Sequence, residues 1–114
     1  MRVIVTGSRL YTNRTQVYTV LDQLDITHIA TGAAAGADSL ARDWAAERKI
    51  NYTAFPVPDE VWKTVGNKAG SERNARMLLE FAPDLVVAFP GGRGTRDMMA
   101  KAKRAKVRVL EIES

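Results

Sequence analysis

The chain has 114 residues, no cysteine, a single histidine, and 17 lysines and arginines against 13 acidic residues. That length supports one hydrophobic core, and so one domain over residues 1–114; without cysteine there is no disulfide framework, thiol nucleophile or cysteine metal centre, and a zinc site around His28 would need mostly carboxylates, an uncommon donor set for that ion. No apolar run approaches the roughly 20 residues of a membrane span and MRVIVTG is too short for a signal peptide, so a cytoplasmic protein is expected, and a net charge of +4 favours an anionic partner such as a nucleotide, nucleic acid or acidic lipid.

In chain order, RVIVTG is a β-branched run that predicts a buried strand ending at Gly7. A helix is expected from Asn13, with Val17, Val20, Leu21 and Leu24 at the spacing of one buried face. HIAT reads as a second strand, and Asp38 as the cap of a second helix that turns Leu40, Ala41, Trp44 and Ala45 inward. NYTAFPVP predicts a third strand stopped by Pro56 and Pro58, followed by a loop around Trp62 and Gly66. AGSERNARMLLEF predicts a helix ending before Pro83, DLVVAF a nearly continuous apolar strand, DMMAKAKRAK a helix and VRVLEI a closing strand. Strands alternating with helices predict a small Rossmann-like three-layer α/β sandwich around a mainly parallel sheet.

Ligands of such sheets bind beyond the carboxyl ends of the strands, where helix N-termini gather. Three glycine-containing stretches fall at that edge: GSR at 7–9, TGAAAGAD at 31–38 and PGGRGTRD at 90–97. Glycine in an ordered loop marks a positive φ or a close approach, and free N–H groups at helix N-termini attract phosphate. Together the three loops predict a phosphate or nucleotide site. The P-loop signature GxxxxGK[ST] is absent, and GRGTRD has Asp97 where a dinucleotide fingerprint has its third glycine. Its place after the fourth strand also argues against a conventional NAD enzyme, and no cofactor is expected.

GSR after the first strand, TGAxxGAD after the second, AGxxRNxxM on a helix and FPGGxGTxD after the fourth strand together resemble the YspA-type branch of the SLOG superfamily. The resemblance runs in order over nearly the whole chain. That superfamily includes the Smf/DprA DNA-processing proteins and the Lonely Guy phosphoribohydrolases, and the resemblance implies a compact Rossmann-like sandwich. Lonely Guy enzymes cleave the N-glycosidic bond of a nucleoside monophosphate with a PGGxGTxEE loop and an arginine in an ERK segment. Glu72, Arg73 and Asn74 are similar to that segment, and Pro90, Gly91, Gly92, Gly94 and Thr95 match the loop.

The first glutamate of the family loop is Asp97 here and the second is Met98. The resemblance therefore implies Arg73 and Asp97 as a catalytic pair. An arginine can hold phosphate bidentately or offset charge on a departing base, and a carboxylate can stabilise an oxocarbenium-like sugar. Asp97 is one methylene shorter and Met98 carries no charge, which implies a binding site without efficient turnover. Ala33 also stands where relatives often carry a second glycine.

The expected ligand-binding residues are Gly7, Ser8, Arg9, Gly32, Gly36, Asp38, Arg73, Asn74, Pro90, Gly91, Gly92, Arg93, Gly94 and Thr95. Amides of Gly91, Gly92, Gly94 and Thr95 would hold phosphate, Arg73 and Arg9 would neutralise it, and Asp38 or Asp97 would contact ribose. Plainer roles stand beside these. Asp97 could be a first-turn acid favoured by the helix dipole, Arg73 an exposed helix residue paired with an acid, Asp38 only a cap, and Ser8 and Arg9 a loop closure. Trp44 reads as core, and Trp62 as a base-stacking residue, a lid or a dimer contact. His28 has no assigned role, and Lys101, Lys103, Arg104 and Lys106 read as a solvated helix end. Arg93 and Arg96 suggest more than one phosphate.

Three functions follow: a nucleotide-derivative binder that senses or sequesters its ligand, a nucleoside 5′-monophosphate phosphoribohydrolase, or a single-stranded DNA binder like Smf/DprA. The low aromatic content, 7%, leaves little for base stacking along a strand. A homodimer is expected through the Met98 and Met99 face or the Trp62 loop.

Overall fold

The computed structural model describes residues 1–113. Five short strands, β1 (Arg2–Thr6), β2 (His28–Thr31), β3 (Asn51–Ala54), β4 (Leu85–Ala88) and β5 (Arg108–Glu111), form one sheet in the order β3-β2-β1-β4-β5. Every neighbouring pair is parallel, with Val3 in register with both Ile29 and Leu85. The fold is a Rossmann-like α/β sandwich, and its sheet is wholly parallel.

Side-chain alternation along the strands divides the core into two layers. On one face Val3, Val5, Ile29, Leu85 and Val87 pack with Val17 and Leu21 of α1 (Arg14–Asp22) and with Leu40, Ala41, Trp44 and Ala45 of α2 (Ala37–Arg48). On the other, Ile4, Ala30 and Val86 meet Met77 and Phe81 of α4 (Asn67–Phe81) and Met98 and Ala102 of α5 (Arg93–Arg104). Asn13 caps α1 as expected, its side chain accepting from the Gln16 N–H at 3.0 Å.

Four sequence expectations need correction. The segment around Trp62 is a two-turn helix, α3 (Asp59–Val65), begun by Pro58 and by Asp59 and Glu60 in its first turn. Helix α5 starts at Arg93, so Arg93, Gly94, Thr95 and Arg96 belong to a helix and not to a loop. Gly36, at φ 74°, is the N-cap of α2, which leaves Asp38 inside the first turn instead of capping it. Met98 is fully buried in the core, so it cannot belong to a dimer face. Among the described residues no helix is long and apolar enough to cross a membrane.

Candidate functional site

The chain leaves β1 for β2 and β3 at one edge, then returns to β4 on the other side of β1, so the topological switch lies between the carboxyl ends of β1 and β4. The loops interlock there. The Phe89 N–H donates to the Thr6 carbonyl and the Ser8 N–H to the Pro90 carbonyl, both at 2.9 Å. The Ser8 carbonyl accepts from the Tyr11 and Ala37 N–H groups, and its hydroxyl accepts from the Leu10 N–H at 3.0 Å. Ser8 is thus a staple between the first loop, α2 and β4.

A cavity of about 750 Å³ opens at this junction. The first loop contributes Gly7, Ser8, Arg9 and Leu10, and the second contributes Ala34 and Asp38. Trp62, Lys68, Gly70, Ser71, Arg73 and Asn74 line it from α3 and α4, and Gly92, Arg93, Gly94, Thr95 and Asp97 from the third loop and α5. Gly32, Gly36, Pro90 and Gly91 do not line it, and Arg96 faces a second, smaller cavity with Pro90, Gly91 and Met99.

The glycines explain this division. A Cβ on Gly7 would stand 2.6 Å from that of Ala37, and one on Gly32 would stand 2.5 Å from the guanidinium carbon of Arg73. On Gly36 it would overlap the Ser8 carbonyl, and on Gly91 the Thr95 hydroxyl. These four let the chain approach itself. Among the described residues a Cβ at Gly92 or Gly94 would meet nothing within 4 Å, and neither glycine has a positive φ. Both line the cavity, beside a helix end with no side-chain cap. The first α-helical bond there runs from the Arg96 N–H to the Gly92 carbonyl, which leaves the Arg93, Gly94 and Thr95 N–H groups without helical acceptors.

Arg73 is half-buried; its Nη1 donates to the Gly32 carbonyl at 2.8 Å and the Phe55 carbonyl at 3.2 Å. Burial lowers its pKa, and the Asp38 charge opposes that shift. Among the described residues it has no ion pair within 4.0 Å, so the expectation of an exposed arginine paired with an acid does not hold.

Asp38 is 6% exposed, and its Oδ2 accepts from the Ala34 N–H at 3.2 Å. Burial pushes its carboxyl up to about 6, against the pull of that N–H and of the Arg73 charge. Ala33, beside it, holds a φ of 60°, the backbone conformation a glycine would adopt without strain.

Asp97 lies beyond the first turn of α5, which contains no acid. It accepts from the Lys101 ammonium at 2.5 Å, the Ser71 hydroxyl at 3.1 Å and the Asn74 amide at 3.0 Å. Burial raises its pKa, but these three partners outweigh it and hold the carboxyl below its ordinary value. Asn74 also donates to the Gly94 carbonyl at 3.2 Å, tying α4 to the first turn of α5. Lys101, expected at a solvated helix end, is instead drawn into this cluster together with Ser71, and the four-residue spacing of Asp97 and Lys101 on one helix is the sequence signal for it.

These features define a small Rossmann-like domain with a cation-lined cavity at its switch point. The chain belongs to the YAcAr family, the YspA, cpYpsA-related SLOG family, whose model matches residues 1–59. The Gene 61 protein of Mycobacterium phage D29 is 37% identical over 120 residues, covering 97% of this chain and 95% of the phage protein. The fold is also similar to that of part of UDP-GlcNAc 2-epimerase from Neisseria meningitidis, solved bound to UDP-GlcNAc, with a TM-score of 0.60 and 16% identity. DprA from Streptococcus pneumoniae gives a TM-score of 0.54 and 17% identity. The match covers all of this chain but 32% of the epimerase, and 96% of this chain but 58% of DprA.

Proposed function

We propose that the cavity binds a nucleotide or nucleotide-derived ligand, with phosphate at the first turn of α5, and that the protein senses or sequesters this ligand. The carrying observation is the contrast among the glycines: Gly92 and Gly94 are not required by packing, yet they leave bare backbone and unpaired N–H groups beside the cavity. Backbone of this kind admits phosphate oxygens to hydrogen-bonding distance. Four cations, Arg9, Lys68, Arg73 and Arg93, share the cavity with two acids, Asp38 and Asp97, and Lys101 already neutralises Asp97. The volume falls within the range of about 300–1,000 Å³ common for small-molecule sites. The Asp38 carboxyl lines the same cavity, where it offers an acceptor to a ribose hydroxyl.

The test is mass spectrometry of the protein after incubation with a pool of nucleotides, ADP-ribose derivatives and cyclic nucleotides. A retained phosphorylated ligand is expected, and it should be lost from an Arg9→Ala, Arg93→Ala double variant, whose exposed side chains have no structural partners among the described residues. No retained ligand would overturn the proposal. Free base released by the wild type, but not by Arg73→Ala or Asp97→Ala, would replace it with a phosphoribohydrolase.

A further inference from the structure

Among the described residues two large apolar side chains line a cavity otherwise made of glycine, alanine, polar and charged residues. Leu10, 82% exposed, comes from the loop after β1, and Trp62, 38% exposed, comes from α3. Lining one cavity, the two offer apolar surface that an apolar ligand face would cover.

The way α3 is held points the same way. No residue of this seven-residue helix is buried. It is joined to α4 through Gly66, which ends one helix and begins the next at φ 71° and ψ −145°. A Cβ on Gly66 would meet nothing within 4 Å, so backbone conformation and not crowding calls for glycine there. The indole of Trp62 rests across Gly70, where a Cβ would stand 3.0 Å from the ring. An element with no core residue and a glycine joint is the kind that opens and closes at low cost.

We infer that α3 is a lid whose Trp62, facing the cavity with Leu10, covers the flat face of an aromatic base, so that the ligand is a base-bearing nucleotide and not a bare sugar phosphate. The inference rests on the proposed phosphate site at α5. Its support is chemical complementarity: the cations and free N–H groups suit phosphate, the Asp38 carboxyl suits ribose, and the two apolar residues suit the face of a base.

Calorimetric titration with AMP, GMP, CMP, UMP and ribose 5-phosphate tests it on the wild type, Trp62→Ala and Trp62→Phe, with sedimentation of each free protein. At least one nucleoside monophosphate should bind the wild type about tenfold or more tighter than ribose 5-phosphate, the size of one stacking contact. Trp62→Ala should erase that preference, bringing the nucleotide to the affinity of ribose 5-phosphate in the same variant, and Trp62→Phe should keep most of it. Equal wild-type affinity for all five probes would overturn the lid and leave the phosphate site standing, whereas binding of none would remove both. A base preference that survives in Trp62→Ala, with loss of a dimer, would make α3 an interface between copies and overturn the inference.

Discussion

The guanidinium of Arg73 lies against Gly32, donating to its carbonyl at 2.8 Å from a position where a Cβ would stand 2.5 Å from the guanidinium carbon. With its second bond to the Phe55 carbonyl, Arg73 ties α4 to the ends of β2 and β3. Arg73→Ala leaves these carbonyls without their donor and removes the charge that steadies Asp38. The expected cost is about 1–3 kcal/mol of stability, and Arg73→Lys should recover only part, since an ammonium lacks the planar fork. Urea unfolding of the three proteins measures it. An unchanged midpoint for Arg73→Ala would show that the tie adds nothing to stability.

Asp38 carries a stability cost with a defined pH signature. Its folded pKa, about 6, lies above the unfolded value of 3.8. Its favourable contribution is therefore complete below 3.8 and is lost as pH rises through about 6. A shift of that size corresponds to about 3 kcal/mol. Asp38→Asn, whose amide oxygen can still accept from Ala34, should be about 1–3 kcal/mol more stable than wild type at pH 7.5, with most of the gain gone near pH 4. Melting curves at the two pH values decide it, since an equal gain at both would mean the burial cost is not ionic.

The strands and inner helix faces were legible because they depend on local pattern. RVIVT and LVVA are runs that only a covered sheet buries, and Leu40, Ala41, Trp44 and Ala45 recur at helical spacing. Helix α3 was hidden because DEVWKTV has no core stripe and lies between prolines and a glycine. The start of α5 was hidden because two glycines within GRGT oppose helix locally. A distant partner sets it instead: Asn74, on α4, holds the Gly94 carbonyl. The three loops could be assigned to one edge from their order. Which of their glycines serve packing and which border open space depends on atoms remote in sequence.

His28, to which the sequence assigns no role, is held by three neighbours. Its Nδ1 is 3.2 Å from the Arg2 guanidinium and so accepts, its Nε2 then donates to the Thr53 hydroxyl at 2.8 Å, and its ring stands edge-on to Phe81. Burial, then the Arg2 charge, lowers its pKa from 6.5. The unfolded chain therefore takes up this proton at higher pH than the folded one does. The neutral ring's contribution is complete above 6.5 and is lost as pH falls below it. His28→Gln should lose this pH dependence, its stability rising relative to wild type between pH 7 and pH 5, as measured by unfolding free energies of both proteins at both values. A slope identical to wild type would show that His28 does not contribute to it.

Gly91 and Gly94 should respond to alanine with opposite signs, although they are close in sequence. A methyl on Gly91 would overlap the Thr95 side chain and crowd the Ser8 amide at 2.9 Å, so either the loop or Thr95 must move. Gly91→Ala is expected to cost about 1–3 kcal/mol, the usual penalty of overpacking. Gly94 is helical, and no atom lies within 4 Å of the added methyl, so Gly94→Ala should gain about 0.5–1 kcal/mol from helix propensity. The same methyl stands beside the N–H groups assigned to phosphate, and it should weaken ligand retention in the more stable variant. Thermal melts paired with ligand titration separate the two effects. Equal retention by Gly94→Ala and wild type would move the phosphate away from the first turn of α5, because a methyl in that position cannot share the space with a bound oxygen.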